Sequence, residues 1–344
     1  MEYRLLGRSG LKVSAFSFGV MTFGGTPGWS HIGETGGDLA RRQIDMCIDH
    51  GINLFDTADV YSGGASEELL AQALGAKRND VLIATKFAGT TGPGPNDRGG
   101  SRHHIVSACE ASLRRLNTDH IDLYQIHSQD LITPPEETLR ALYDLIRAGK
   151  VRYIGSSNHS GWTKMRALAT SDRLGLNRYV SQQIQYSLMF RDAEDELLPL
   201  GVNEGVGALI WGPLASGYLT GKFLHGSGQG TRLVGNGRLE LRDTERARDI
   251  VRLLEAMAGE RNGATPSQIA LNWIARKQGV SSIILGARDV DQLAANLAAA
   301  NWSLSDEEIA RLDAVSALPP RYPYDLQKNF GAERNPWPGL LPPV

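Results

Sequence analysis

Cysteine is scarce in this chain: Cys47 and Cys109 are the only two among 344 residues, and both fall in helix-like stretches. That argues against a disulfide framework and for a reducing compartment. A dominant charge is missing too. Thirty-six basic residues meet 38 acidic ones for a net charge of −2, with no basic stripe or acidic tail, so nucleic acid is not an expected partner. No apolar run approaches the roughly 20 residues of a membrane span. Met1-Glu2-Tyr3-Arg4 does not read as a signal peptide, and a cytoplasmic location is the expectation. His103-His104 has no Cys or carboxylate at ligand spacing, so no metal is expected. Nucleotide-binding glycine motifs are lacking as well. No strand–GxGxxG–helix unit is visible. Gly226-Ser227-Gly228-Gln229-Gly230 lies in a polar loop and reads as a flexible segment, and Gly221-Lys222 is followed by Phe223 where a Walker A loop needs Ser or Thr.

What is present is an ordinary globular composition, 41% hydrophobic and 22% charged, with enough apolar residues for a sizeable core. A hairpin is expected from Tyr3-Arg4-Leu5-Leu6 and Lys12-Val13 around Arg8-Ser9-Gly10. Short strand-like runs then recur at 16–19, 52–55, 81–85, 121–126, 151–155, 180–184, 206–210 and 281–285. Helical patterns separate them: 38–50, 66–74, 102–116, 135–147, 161–169, 192–204, 245–260, 267–276 and 290–299. Eight strands alternating with helices predict an α/β fold, a single (β/α)8 TIM barrel over residues 1–344, with its core at about 14–317. Ser305 with Glu308 predicts a capping box for an extra C-terminal helix, 306–315. The Pro-rich tail 318–344 reads as an arm over the barrel mouth. Gly-rich loops at 24–37 and 89–100 are long enough to carry function.

Four polar residues sit at or just past strand ends: Asp56 and Tyr61, Lys86, and His127. Those ends are where a barrel of this kind keeps its chemistry. A phenol titrates near about 10, and a neighbouring ammonium favours phenolate, so Lys86 beside Tyr61 predicts an unusually acidic phenol. Asp56 is placed to pair with Lys86, and His127 to orient a substrate oxygen. Tyr61 is then the general acid of a carbonyl reduction and the general base of the reverse reaction.

At this point Phe55-Asp56-Thr57-Ala58-Asp59-Val60-Tyr61, Ala84-Thr85-Lys86-Phe87 and Tyr124-Gln125-Ile126-His127 resemble the aldo-keto reductase superfamily. Its branch with potassium-channel β subunits and bacterial ketone or sugar reductases is the most similar, through Ser157-Asn158-His159-Ser160 and Gln185-Tyr186-Ser187-Leu188. The resemblance implies a nicotinamide cofactor, NADPH/NADP+ with NADH also open, bound without a Rossmann unit. It implies that Ser157, Asn158 and Gln183 hold the carboxamide and that Trp211 stacks on the ring. Pro213, Leu214, Ser216, Gly217, Leu219 and Lys222 belong to the implied pyrophosphate loop. Gly286, Arg288, Gln292 and Asn296 surround the implied adenosine 2′-phosphate, where Asp289 is an unfavourable neighbour.

Trp29 and Phe87 are expected as substrate-pocket walls, and Trp337 and Tyr322 are further aromatic candidates. The expected activity is NADPH-dependent reduction of an aldehyde or ketone to an alcohol. Two alternatives stand beside it: a cofactor-binding regulatory subunit with weak or vestigial activity, and a hydrolase using Asp56 and Glu67. A small-molecule carbonyl or alcohol is the expected partner, and nothing in the composition excludes a homo-oligomer.

Overall fold

A computed structural model describes residues 1–26, 28, 30, 32–224, 243–261 and 263–334. Trp29, the Gly226–Gly230 run and Trp337 therefore lie outside the described residues. Tyr3–Leu5 (β1) and Lys12–Ser14 (β2) pair antiparallel. The barrel strands follow in chain order: Phe16–Gly19 (β3), Leu54–Asp56 (β4), Leu82–Phe87 (β5), Ile121–Ile126 (β6), Val151–Ser157 (β7), Ser181–Gln185 (β8), Gly207–Trp211 (β9) and Val280–Leu285 (β10). They close in the order β10-β3-β4-β5-β6-β7-β8-β9, each pair parallel. The expected eight-stranded barrel is thus the fold.

Helices wrap the strands: Gly37–Asp49 (α1), Ala65–Leu74 (α2), Arg102–Arg115 (α3), Pro135–Arg147 (α4), Gly161–Leu174 (α5), Leu197–Glu204 (α6), Glu245–Glu260 (α7), Pro266–Ala275 (α8) and Val290–Leu297 (α9). Their starts are chemically explicit. Ser101 caps α3, Pro135 opens α4 at a position needing no N–H, and Thr265 forms a capping box with Gln268 before Pro266. Asp306–Val315 (α10) carries the predicted Ser305–Glu308 capping box. Two expectations change. The stretch 192–204 is a short 3-10 turn, Asp192–Glu194, followed by α6, not one helix. Helix α5 runs on to Leu174, where Gly175 in the left-handed region ends it.

The tail also departs from a plain arm. Between its two clusters of prolines, Tyr324–Arg334 folds as a helix (α11). Arg321 pairs with Asp192 and Asp195, and the Tyr324 hydroxyl donates to Glu196 Oε1 at 2.8 Å. This part of the tail is held beside the β8–α6 connection, on the rim where the strands end.

One apolar cluster lies between strands and helices. A second lies inside the barrel, where Leu54, Ala84, Leu123, Leu209 and Ile284 meet Leu6 and Val13 of the hairpin. The hairpin therefore plugs the N-terminal end of the barrel, which leaves the C-terminal end for chemistry.

Candidate active site

Side chains alternate in and out along a strand. Two residues along each strand from Leu54, Ala84 and Leu123, the same alternation turns Asp56, Lys86 and Gln125 inward, with Asp56 in register with Ala84 and Lys86 with Gln125. Lys86 is fully buried. Its Nζ donates to Asp56 Oδ1 at 2.6 Å, to the Thr57 carbonyl at 2.7 Å and to the Tyr61 hydroxyl at 3.3 Å. An ammonium has three N–H donors, and these three acceptors use them all. Asp56 is held from its other side as well. Its Oδ2 accepts from Gln183 Nε2 at 2.7 Å and from Gln125 Nε2 at 3.3 Å. Burial, the largest influence, would by itself discharge Lys86, but Asp56 and Tyr61 together outweigh it and carry the ammonium above its ordinary range.

Tyr61 opens a 3-10 turn, Tyr61–Gly64, in which Ser62 adopts φ +50°, a conformation costly for a residue with a Cβ. The Gly24 loop is packed on that turn. Gly24 has φ +115°, and a Cβ there would come within 2.6 Å of Ser62 Cβ, so only glycine fits. Because the Tyr61 oxygen accepts from Lys86, its own O–H is directed away from the ammonium. The His127 ring stands edge-on to the Tyr61 ring with centroids 5.6 Å apart.

The acidity of the phenol differs from the expectation. Burial pushes Tyr61 above the ordinary phenol value, and the pull of Lys86 in the opposite sense does not cancel it. Tyr61 is thus a protonated phenol at neutral pH. His127 is driven the other way, down to about 3, by burial first and the Lys86 charge second. Its imidazole is neutral, so it can donate or accept a hydrogen bond but holds no extra proton to give.

These groups form the floor of a cavity of about 780 Å³, towards the upper end of the roughly 300–1,000 Å³ usual for ligand sites. Asp56, Tyr61, His127, Ser157, Asn158, Gln183 and Trp211 line one part of it. The same cavity reaches Pro213, Leu214, Ser216, Gly217 and Lys222, then Gly286, Arg288, Gln292 and Asn296. Asn158, itself at φ +52°, ties two elements together. Its Nδ2 donates to the His127 carbonyl at 3.0 Å, and its Oδ1 accepts from Trp211 Nε1 at 3.1 Å. Ser157 Oγ donates to the Gln183 carbonyl at 3.1 Å. Asp289 caps α9, accepting from the Gln292 N–H at 2.7 Å, while Gln292 Oε1 accepts from the Arg288 N–H at 2.9 Å.

Two expected residues are elsewhere. Phe87 is fully buried and packs on Tyr124 with centroids 4.8 Å apart. It neighbours the inward-facing Lys86, so strand alternation turns it outward, away from the cavity. Leu219 is likewise fully buried, in the outer core, and the cavity is lined by its neighbour Thr220 instead. Met21, Thr22 and Ile32 also line the cavity; Ile32 falls in the Gly-rich loop 24–37, and no motif singles out Met21 and Thr22, which precede it. Glu67 has no access to it. It is fully buried, accepts from Thr85 Oγ1 at 2.5 Å and pairs with Arg115 at 2.7 Å, which removes the hydrolase alternative.

The sequence profile of the aldo/keto reductase family matches residues 15–317. The chain belongs to that family. A probable voltage-gated potassium channel subunit beta of Arabidopsis thaliana is 39% identical to this reductase-family chain over 308 residues, 87% of this chain and 91% of the relative. An uncharacterized oxidoreductase of Bacillus subtilis strain 168 is 38% identical over 329 residues, 91% of this chain and 94% of the relative. An aldo-keto reductase of Alternaria alternata is 34% identical over 348 residues, 93% of each chain. The branch is therefore the one its 157–160 and 185–188 segments resemble, and the names of these relatives support an oxidoreductase role.

Proposed function

We propose that this aldo/keto reductase catalyses the reversible, NADPH-dependent reduction of an aldehyde or ketone to an alcohol, with Tyr61 as the proton donor. One observation carries the reading. A buried ammonium, fully used by Asp56, the Thr57 carbonyl and Tyr61, points one N–H at the phenol oxygen on the floor of a cavity. NADPH, when bound, supplies the hydride that a carbonyl carbon accepts. The carbonyl oxygen then needs a proton. His127 is neutral and has none to spare, whereas Tyr61 carries one directed away from Lys86. As that proton leaves, the fully buried Lys86 ammonium stabilises the phenolate. His127 orients the substrate oxygen by a hydrogen bond.

The cavity suits an extended dinucleotide because carboxamide-type partners lie at one end and a basic side chain at the other. Ser157, Asn158 and Gln183 would hold the carboxamide, and Trp211 would lie against the ring. Residues 213–222 would cover the pyrophosphate, and Arg288, Gln292 and Asn296 would take the 2′-phosphate and adenine. Asp289 spends its carboxylate as a helix cap, which lessens its conflict with a phosphate beside Arg288. In this reading residues 1–344 are one barrel domain, and the cytoplasm is its location. Among the described residues no helix is long and apolar enough to cross a membrane.

The test combines binding and turnover. Titration of the tryptophan fluorescence with NADPH gives saturable quenching, tighter than with NADH, and Tyr61→Phe keeps the quenching while losing about 10²–10⁴-fold in turnover. Absence of quenching in folded, cofactor-free protein removes the nicotinamide reading. Turnover of the wild-type kind in Tyr61→Phe removes the phenol. A regulatory subunit is the second reading, favoured by the channel-subunit names of several relatives. It requires the purified protein to retain NADP(H) and to turn over sluggishly with every aldehyde offered.

A further inference from the structure

Beneath Lys86 and Tyr61 lies a second group of buried charges. Glu67 on α2 is paired with Arg115 on α3, as Asp56 is with Lys86. Asp59 lies among them. It is only 3% exposed, stands two residues before Tyr61, and its backbone N–H donates to the Lys86 carbonyl at 3.2 Å. Neither of its carboxylate oxygens has a hydrogen-bond partner among the described residues. The Val60 N–H exerts a small pull on the carboxylate without meeting hydrogen-bond geometry. Asp56 and Glu67 each have a cation of their own, and Asp59 has none among the described residues. A buried, unpartnered carboxylate is costly when charged and is relieved by taking up a proton.

We infer that Asp59 is a positioning residue whose charge modulates how readily Tyr61 releases its proton: protonated, it leaves only Asp56 to oppose the Lys86 field, and ionised, it opposes phenolate further. The inference rests on the reading of Tyr61 as proton donor. The groups facing Asp59 are Tyr61 on its own segment, Glu67 from α2, Lys86 from β5, Arg115 from α3 and Tyr124 from β6, and its charge acts on both Tyr61 and Tyr124. Burial first, and Glu67 second, hold its carboxyl up at about 7 against the pull of Arg115 and Lys86. Tyr61, Tyr124 and Lys86 are all pushed above their ordinary values, and His127 lies at about 3. Among these, Asp59 is the group whose charge changes near neutral pH.

Reduction builds negative charge on the Tyr61 oxygen, so an anionic Asp59 slows it. The measurement is single-turnover reduction of 4-nitrobenzaldehyde by NADPH between about pH 6 and 8.5, with wild type, Asp59→Asn and Tyr61→Phe. The wild-type rate is expected to fall roughly two- to fivefold as pH rises through the midpoint, because the ionised carboxylate pushes the Tyr61 phenol further up. In Asp59→Asn the rate stays flat at the low-pH wild-type level. An unchanged descending limb in Asp59→Asn, with Tyr61→Phe inactive, overturns the inference alone. An active Tyr61→Phe overturns the proton-donor reading beneath it.

A second observation does not depend on folding of the variant. The infrared difference spectrum of wild type between the same two pH limits contains a protonated-carboxyl band that disappears at the higher pH. Absence of that band also overturns the inference.

Discussion

Replacing Asp56 by Asn separates the charge of this site from its shape. The amide keeps the volume and still offers an oxygen to Lys86, but the fully buried ammonium loses its counter-ion. Removing one member of a buried pair costs about 3–5 kcal/mol. A second estimate bounds the loss. Lys86 can shed its proton, and from an unfolded value near about 10.4 down to pH 7 this costs at most about 4.6 kcal/mol, at about 1.4 kcal/mol per unit. The Thr57 carbonyl and the Tyr61 hydroxyl, at 2.7 and 3.3 Å, remain as acceptors and keep the cost within the lower range.

The pH dependence gives the mechanism away. In wild type the folded Lys86 value is raised. Its contribution is therefore complete below the unfolded value and lost only as pH rises through the folded one. In Asp56→Asn burial outweighs the remaining pull of Tyr61, the folded value falls below the unfolded one, and the penalty is largest at neutral pH. The gap between the two proteins should thus narrow as pH climbs towards about 10. Urea midpoints of both proteins at neutral and alkaline pH measure it. A neutral-pH difference under about 1 kcal/mol, the size of a solvated surface pair, would refute the reasoning, as would a gap independent of pH.

Two further outcomes follow from the cavity. Arg288→Ala should weaken NADPH binding by about 10- to 100-fold, the worth of a charged hydrogen bond to phosphate at about 1.5–3 kcal/mol. Its effect on NADH should be small, and equal losses for both cofactors in the fluorescence titration would remove Arg288 from the 2′-phosphate. The His127 ring, held down at about 3, should show no shift in its NMR signals between about pH 5 and 8. A titration in that window would make the imidazole a rival proton donor.

The barrel is legible in the chain because its signals are local. Eight short apolar runs, Gly and Pro between them, and caps such as Ser305 with Glu308 each act within a few residues, so the strand order and most helix limits follow from composition and spacing. The end of α5 is harder to place. Thr170, Ser171 and Asp172 make the pattern polar after Ala169, yet each is tolerated in a helix, and the chain stops only at Gly175. Helix α11 is hidden because prolines on both sides dominate the composition of the tail, while Tyr324–Arg334 contains none.

The functional residues divide the same way. Asp56, Tyr61, Lys86 and His127 stand out in sequence because polar side chains interrupt runs that are otherwise apolar. Which face each neighbour takes is not a matter of composition. Parallel strands in a barrel are buried on both sides, so Phe87 reads as a cavity wall until Lys86 is seen to point inward and the alternation sends Phe87 out.

Partnership is further still from the linear chain. Gln125 and Gln183 converge on Asp56 from positions 69 and 127 residues away, and Asp59 is recognised as an uncompensated charge only once Glu67 is found on Arg115 and Asp56 on Lys86. The sequence by itself determined the elements and the chemical types at the strand ends, because those depend on neighbours along the chain. Only the closed barrel decided which charges are paired, which is left buried alone, and so how strongly the phenol holds its proton, because desolvation and electrostatic fields depend on neighbours in space.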